Sequence, residues 1–258
     1  MNRTHCSPEP KEEQSTVIAD LIKAESVKQI SKEDIWAEGV MLSVVAMCAT
    51  LFYLSRNAHA YTILANEIRG TYDNADAIRM GPRLRSCRYL RACIDEALRM
   101  YPPVGGVLLR EVGSGGAAVD GNVLHEGCIV SPGIYSIHHN PDYFPRPHEY
   151  KPERWLSGSE LNPKNEREAS RAAFIPFSTG PRACVGVSLF YWEISVTLAR
   201  LMFLFDFKAA EGPDGELGAG SAFSGFGRTD PNEFQLYDRI GSLKWGPVLQ
   251  FRPRQMAV

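Results

Sequence analysis

Six cysteines, Cys6, Cys48, Cys87, Cys93, Cys128 and Cys184, include no C-x-x-C pair and no repeating spacing. That pattern excludes a cysteine zinc site and a disulfide scaffold, and makes a reducing compartment the default. Charge of one sign is lacking as well. The 28 Lys and Arg against 30 Asp and Glu leave a net charge of −2 and a pI near 6.3, so no bulk basicity points to nucleic acid. The opening MNRTHCSPEPKEEQST has no apolar core. It is read as neither signal peptide nor membrane anchor but as a disordered lead-in over residues 1–16. One stretch, Gly39 to Leu54, carries no formal charge and could be mistaken for a membrane span. A span needs about 20 apolar residues, and this run contains Ser43 and Thr50, so it is read as a buried helix. No internal repeat is present. At 258 residues the chain is long enough for one or two domains with a real core.

The rest reads as helices first, then short strands. Ser31-Lys32-Glu33-Asp34 is a capping-box start, and a helix can run from it to about Asn57, apolar nearly all round from Val40 to Leu54. A second helix is expected over His59 to Gly70 and a third over Arg85 to Met100, stopped by Pro102-Pro103. Strand-like pieces follow at Val107–Val112, Ala118–Val119, Val123–Leu124 and Cys128–Val130, between Gly-rich turns. Residues 140–176 read as a long ordered meander. A long apolar helical run is expected from Val187 to Phe207, then a Gly/Ser-rich loop over 212–227 and closing strands at Phe234–Tyr237 and Val248–Phe251. The fold class is therefore mainly α with small β-sheets (α+β).

The stretch with the most chemistry is Phe177-Ser178-Thr179-Gly180-Pro181-Arg182-Ala183-Cys184-Val185-Gly186. It sets one cysteine on a tight loop that opens into a long helix. Unpaired N–H groups and the positive end of the macrodipole favour a thiolate there. Arg182 adds positive charge, Phe177 can cover the sulfur, and Gly180 and Gly186 let a flat ligand approach the backbone. Such a loop suits a soft anionic axial ligand for haem iron. The alternative is a buried, inert cysteine.

This F-x-x-G-x-R-x-C-x-G pattern resembles the haem-binding loop of the cytochrome P-450 family at every fixed position. Two more motifs fall in the family's order. Glu96-Ala97-Leu98-Arg99 puts Glu96 and Arg99 on one helix face at i, i+3, and Pro152-Glu153-Arg154-Trp155 precedes the cysteine loop by thirty residues. The phrases Arg99 to Val104, Ser136 to Pro141 and Gly246 to Arg254 are similar to filamentous-fungal microsomal members. The resemblance implies Cys184 as iron ligand, with Phe177, Gly180, Arg182, Gly186 and Arg110 holding haem b, the arginines through its propionates; the alternative for Arg110 is a solvated strand residue. It also implies a buried structural triad of Glu96, Arg99 and Arg154. His138-His139 suggests a metal pair, but adjacent histidines in a Pro/Asn-rich turn are more often surface or capping residues, and they are read so here.

The sequence departs from the family in two respects. It has about half the usual length, so residues 17–258 are expected to be a haem domain whose N-terminal half is missing. An exposed central helix would then invite aggregation or association with another chain. Second, the family's acid–alcohol pair on that helix falls on Met41 and Leu42, which relay no protons. Ser43, one position on, or Glu38 before Gly39 is the substitute for that role if the helix register shifts. Expected substrate-facing positions are Gly39 to Ser43, Val104 to Leu108 and Gly241-Ser242-Leu243.

The function that the resemblance implies is a haem-dependent monooxygenase acting on a lipophilic small molecule, with NADPH electrons delivered by a flavoprotein reductase. Arg79, Arg83, Arg85, Arg88 and Arg91 offer a basic face for such an acidic donor. Two alternatives remain open: a haem-thiolate isomerase, dehydratase or peroxide-using enzyme, and an inactive remnant. Relatives of this type sit on the cytosolic side of the endoplasmic reticulum, while the lack of an anchor leaves a cytoplasmic location open.

Overall fold

The computed structural model describes residues 32–158, 167–223, 229–235, 237 and 244–255, with side chains omitted for 32–43 and 167. The chain divides into two units, Met1–Val40 and Met41–Val258. The second carries the core, the sheets and the cysteine loop. The expected boundary at residues 16 and 17 lies outside the described residues, as do the expected capping residue Ser31 and the turn 241–243.

Helix α1 (Lys32–Arg56) is followed by α2 (Ala58–Thr71), both within two residues of the expected spans. The expected third helix is broken. A single turn, α3 (Pro82–Arg85), precedes α4 (Arg88–Met100), with Ser86 and Cys87 between them. The break has a tertiary cause. Glu67 of α2 accepts hydrogen bonds from the Tyr89 and Leu90 amides, at 2.9 and 2.8 Å. Its carboxylate thus satisfies first-turn donors of α4 and complements that end of the dipole.

Leu64 and Ile68 on α2, Leu90, Ile94 and Leu98 on α4, and Ile194, Leu198 and Met202 farther on recur four apart and are all buried. These apolar stripes make the core, with Ala46, Ala49, Phe52, Tyr53 and Leu54 of α1. The expected burial of the α1 run thus holds for its C-terminal half; Val44, earlier on it, is exposed.

The strands are short: β1 (Arg110–Glu111) pairs with β4 (Ile129–Val130), and β2 (Ala117–Val119) with β3 (Asn122–Leu124), both antiparallel. The expected strand from Val107 shrinks to β1 and an isolated bridge between Val107 and Gly133. Two helices arise inside what reads as irregular sequence: α5 (Ile134–His138) and α6 (Arg167–Ala173).

The apolar run after the cysteine loop is not helical to Phe207. Helix α7 (Val187–Leu204) ends there, and β5 (Phe205–Ala209) begins at once. Arg69 fixes the switch. Its Nε donates to Met202 O at 2.9 Å, and its Nη2 to Phe205 O at 3.0 Å and Asp206 Oδ1 at 2.7 Å, so it takes up carbonyls that the ending helix leaves unpaired. β5 pairs with β6 (Leu249–Pro253), with Phe207 opposite Phe251. The expected strand at Phe234 is a single bridge to Ala219. Among the described residues α7, and not the run in α1, is long and apolar enough to cross a membrane, and a third of it is buried.

Candidate functional site

Glu96, Arg99 and Arg154 meet in the interior, each 0–1% exposed. Arg99 grips the Glu96 carboxylate with both tines of its fork: Nε to Oε2 at 2.9 Å and Nη2 to Oε1 at 2.8 Å. Arg154 Nε reaches Oε1 at 3.3 Å. Two donors not foreseen complete the shell, Trp155 Nε1 to Oε2 at 3.0 Å and the Lys151 amide to Oε1 at 3.1 Å. Burial alone would push the Glu96 carboxyl up, but Arg99 and Arg154 outweigh it and hold it below the usual range.

The free edges of both guanidiniums reach into the meander. Arg99 donates to the carbonyls of His138 at 2.9 Å and Pro147 at 2.7 Å, and Arg154 to Pro145 O at 2.8 Å. One carboxylate therefore holds α4, α5 and the meander together.

His138 and His139 correct the surface reading. His138 is fully buried, and both of its ring nitrogens are committed. Nδ1 donates to Arg99 O at 3.2 Å, and Nε2 accepts from the Ile175 amide at 3.0 Å. Burial and then the Arg99 charge push its pKa down to about 3, so the ring is neutral. His139 does cap, through its Nδ1 and Tyr135 O at 2.9 Å, but it is only 9% exposed.

The cysteine loop follows directly. Ser178 and Gly180 adopt positive φ, 61° and 72°, so at Gly180 it is the backbone conformation that favours glycine. The Cys184 amide donates to Phe177 O at 2.9 Å and closes the loop. The Phe177 ring packs edge-on against Phe190 and Tyr191 of α7, at 5.1 and 5.5 Å. Gly186 has an ordinary φ of −82° and caps α7, two residues beyond Cys184.

Among the described cysteines Cys184 alone is exposed. Burial pushes the Cys87 and Cys93 thiols up, which makes them poor thiolates. Cys184 is therefore not the buried cysteine of the alternative reading.

Tyr191 links this loop to α4. Its hydroxyl donates to Asp95 Oδ1 at 2.7 Å, and Arg91 grips the same carboxylate at 2.8 and 2.9 Å while lying 3.4 Å over the Tyr191 ring. Neither Asp95 nor Tyr191 stands out in the sequence, because the pairing joins residues almost a hundred positions apart. Arg91 is accordingly not a free member of the expected basic face. Arg83 pairs with Asp73 at 3.5 Å, and Arg79 bonds the Asp76 carbonyl. Arg85 and Arg88 are exposed and, among the described residues, make no ion pair.

Arg110 on β1 and Arg182 on the loop are exposed, and among the described residues neither meets a carboxylate. Arg110 bonds its own neighbours, Leu108 O and Leu109 O. Among the described residues no hydrogen bond or ion pair joins it to the cysteine loop. Ser43, Met41 and Leu42 lie on α1, and their side chains fall outside the described residues. An exposed thiol, and guanidiniums that meet no carboxylate among the described residues, are the group types that suit a soft iron centre carrying carboxylate arms.

A mixed fold of helices and small antiparallel sheets, with a buried carboxylate–arginine lock and an exposed cysteine on the loop that opens α7, fits the class of haem-thiolate proteins. The comparisons agree. The family model described as cytochrome P-450 matches residues 11–226. The cytochrome P-450 monooxygenase apf8 of Gibberella fujikuroi is 44% identical over 88% of this chain and 62% of its own length. The cytochrome P-450 monooxygenase AKT7 of Alternaria alternata is 42% identical over 83% of this chain and 41% of its own. The trichothecene C-15 hydroxylase of Fusarium sporotrichioides is 37% identical over 67% of this chain and 34% of its own. The chain belongs to the cytochrome P-450 family, and it spans about half the length of the curated relatives it matches.

Proposed function

We propose that this chain supplies the proximal half of a haem-dependent monooxygenase acting on a lipophilic small molecule in secondary metabolism. The observation that carries the reading is the exposed Cys184 on a loop tied to α7 and backed by the buried Glu96 lock. Cys184 would hold the iron of haem b, and Arg182 and Arg110 its propionates. When bound, that group supplies oxygen activation for insertion into a C–H bond.

The chain's own residues do the positioning. The amide of Cys184 is fixed on Phe177 O, and Phe177 is seated on Phe190 and Tyr191, so the sulfur is presented by a braced loop. The Glu96 triad acts on structure, by keeping the meander that leads into the loop against α4.

Electrons would come from NADPH through an acidic flavoprotein reductase. A groove of about 500 Å³ between α3–α4 and α7 supports a docking face there, with the exposed Arg85 on one wall and Trp192 on the other. Membership of the family supports a site on the cytosolic side of the endoplasmic reticulum. Residues 1–16 are a lead-in on this reading and 17–258 the haem domain.

One sequence observation favours a second reading. Met41 and Leu42 stand where the family's proton-relay pair falls, and isomerisation, dehydration or peroxide use needs no such relay. Ser43 is the residue that would restore it.

The test is reconstitution with haemin, then the optical spectrum of the reduced carbon monoxide adduct. The thiolate-type signature is expected in the parent chain and absent from Cys184→Ser. An identical spectrum in both would sink the assignment. Coupled NADPH consumption, with Leu42→Thr as comparator, separates oxygen insertion from the second reading.

A further inference from the structure

We propose that His139, His148 and Glu233 form a binding site for a divalent transition-metal cation of the zinc class, away from Cys184. One ligand-type atom from each residue lies within 4.8 Å of the other two. Bonds of about 2.0–2.1 Å to a tetrahedral zinc put its ligands about 3.4 Å apart. His148 is exposed, so it can swing inward to close that difference.

The second observation is an orphaned buried atom. His139 is 9% exposed, and its Nε2 has no hydrogen-bond partner among the described residues. Its other nitrogen, Nδ1, donates to Tyr135 O at 2.9 Å. That bond places the lone pair on Nε2, in the tautomer and orientation that metal-ligating histidines characteristically take. The ring plane is fixed as well, by stacking on Tyr135 with centroids 3.9 Å apart.

Tyr135 also orients the acid. Its hydroxyl donates to Glu233 Oε1 at 2.5 Å, which leaves Oε2 as the ligand oxygen. Glu233 is anchored by its neighbour Phe234, 1% exposed and packed between Phe52 and Tyr101. One tyrosine therefore holds two of the three ligands from behind, and the third approaches from solvent. Two imidazoles and a carboxylate suit zinc, nickel or copper over calcium or magnesium. Three protein ligands leave a fourth position for water. Such a cation would staple α5, the meander and the 229–235 segment to one another.

The experiment is a cobalt(II) titration of the full chain after chelation and dialysis, followed by zinc displacement. One equivalent should bind with the visible bands of a tetrahedral N/O site and without the near-ultraviolet thiolate-to-cobalt band. His148→Ala and Glu233→Gln should each weaken binding at least tenfold, with the circular dichroism of the metal-free chain unchanged. Tyr135→Phe should weaken it about 10–100-fold through lost orientation. The proposal is overturned by binding that survives in the His148→Ala/Glu233→Gln double variant, by thiolate bands, or by no stoichiometric binding at micromolar cobalt and zinc.

Discussion

Trp155 Nε1 donates to Glu96 Oε2 at 3.0 Å, on a carboxylate that Arg99 and Arg154 already grip. Five donors in all converge on it, counting both Arg99 contacts, Arg154, Trp155 and the Lys151 amide. Removing the carboxylate leaves two buried guanidiniums facing each other. Glu96→Ala should destabilise the fold by about 3–5 kcal/mol. Trp155→Phe removes one bond to a charged acceptor and should cost about 1.5–3 kcal/mol. Urea unfolding of both variants checks the order. A Glu96→Ala loss under about 1 kcal/mol would contradict the buried lock.

A second expectation concerns the break before α4. Glu67 accepts from Tyr89 N and Leu90 N across a tertiary contact. Glu67→Ala should cost about 0.5–2 kcal/mol, the range for losing a helix cap. Amide hydrogen exchange should speed up first at residues 88–91. Uniform exchange throughout α4 would count against a local cap.

How much of this was legible in the sequence depends on the range of the interaction that decides each element. Glu96 and Arg99 share a helix face by spacing alone, and Arg154 could be added only through resemblance. Trp155 and the Lys151 amide could not, since nothing local marks them as donors to residue 96. The α3–α4 break escaped for the same reason: its cap comes from Glu67. The α7-to-β5 switch was hidden because the apolar run continues through Leu204, and the residue that ends the helix is Arg69. His138 looks like a turn residue, yet its two partners, Arg99 O and Ile175 N, lie 39 and 37 positions away. The cysteine loop was legible because its geometry is set within ten residues.

His138 gives a pH prediction with a definite sign. Its folded pKa, about 3, lies below the ordinary value of 6.5. The unfolded chain therefore binds the extra proton more readily between those two values. Stability from this group is fully present above pH 6.5 and is lost as the pH falls toward 3, by up to about 1.4 kcal/mol per pH unit. Nitrogen-15 NMR of the imidazole should show His138 unprotonated at about pH 5, with Nε2 still accepting a hydrogen bond. Titration of that ring near pH 6.5 in the folded protein would refute the burial argument.

Cys184 should behave in the opposite way to Glu96, because the residue is exposed where Glu96 is buried. Cys184→Ser should change stability by no more than about 0.5 kcal/mol, while the backbone bond to Phe177 O keeps the loop closed. Tyr191→Phe is the informative contrast. It leaves the sulfur alone but removes the bond to Asp95 at 2.7 Å, at a cost of about 1.5–3 kcal/mol. If the loop is braced through Phe177 and Tyr191, haemin affinity should fall in Tyr191→Phe while the thiolate-type spectrum of the bound fraction persists. In Cys184→Ser the spectrum itself should change at unaltered stability. A Tyr191→Phe chain that melts lower yet binds haemin as tightly as the parent would show that α7 supports the fold without supporting the loop.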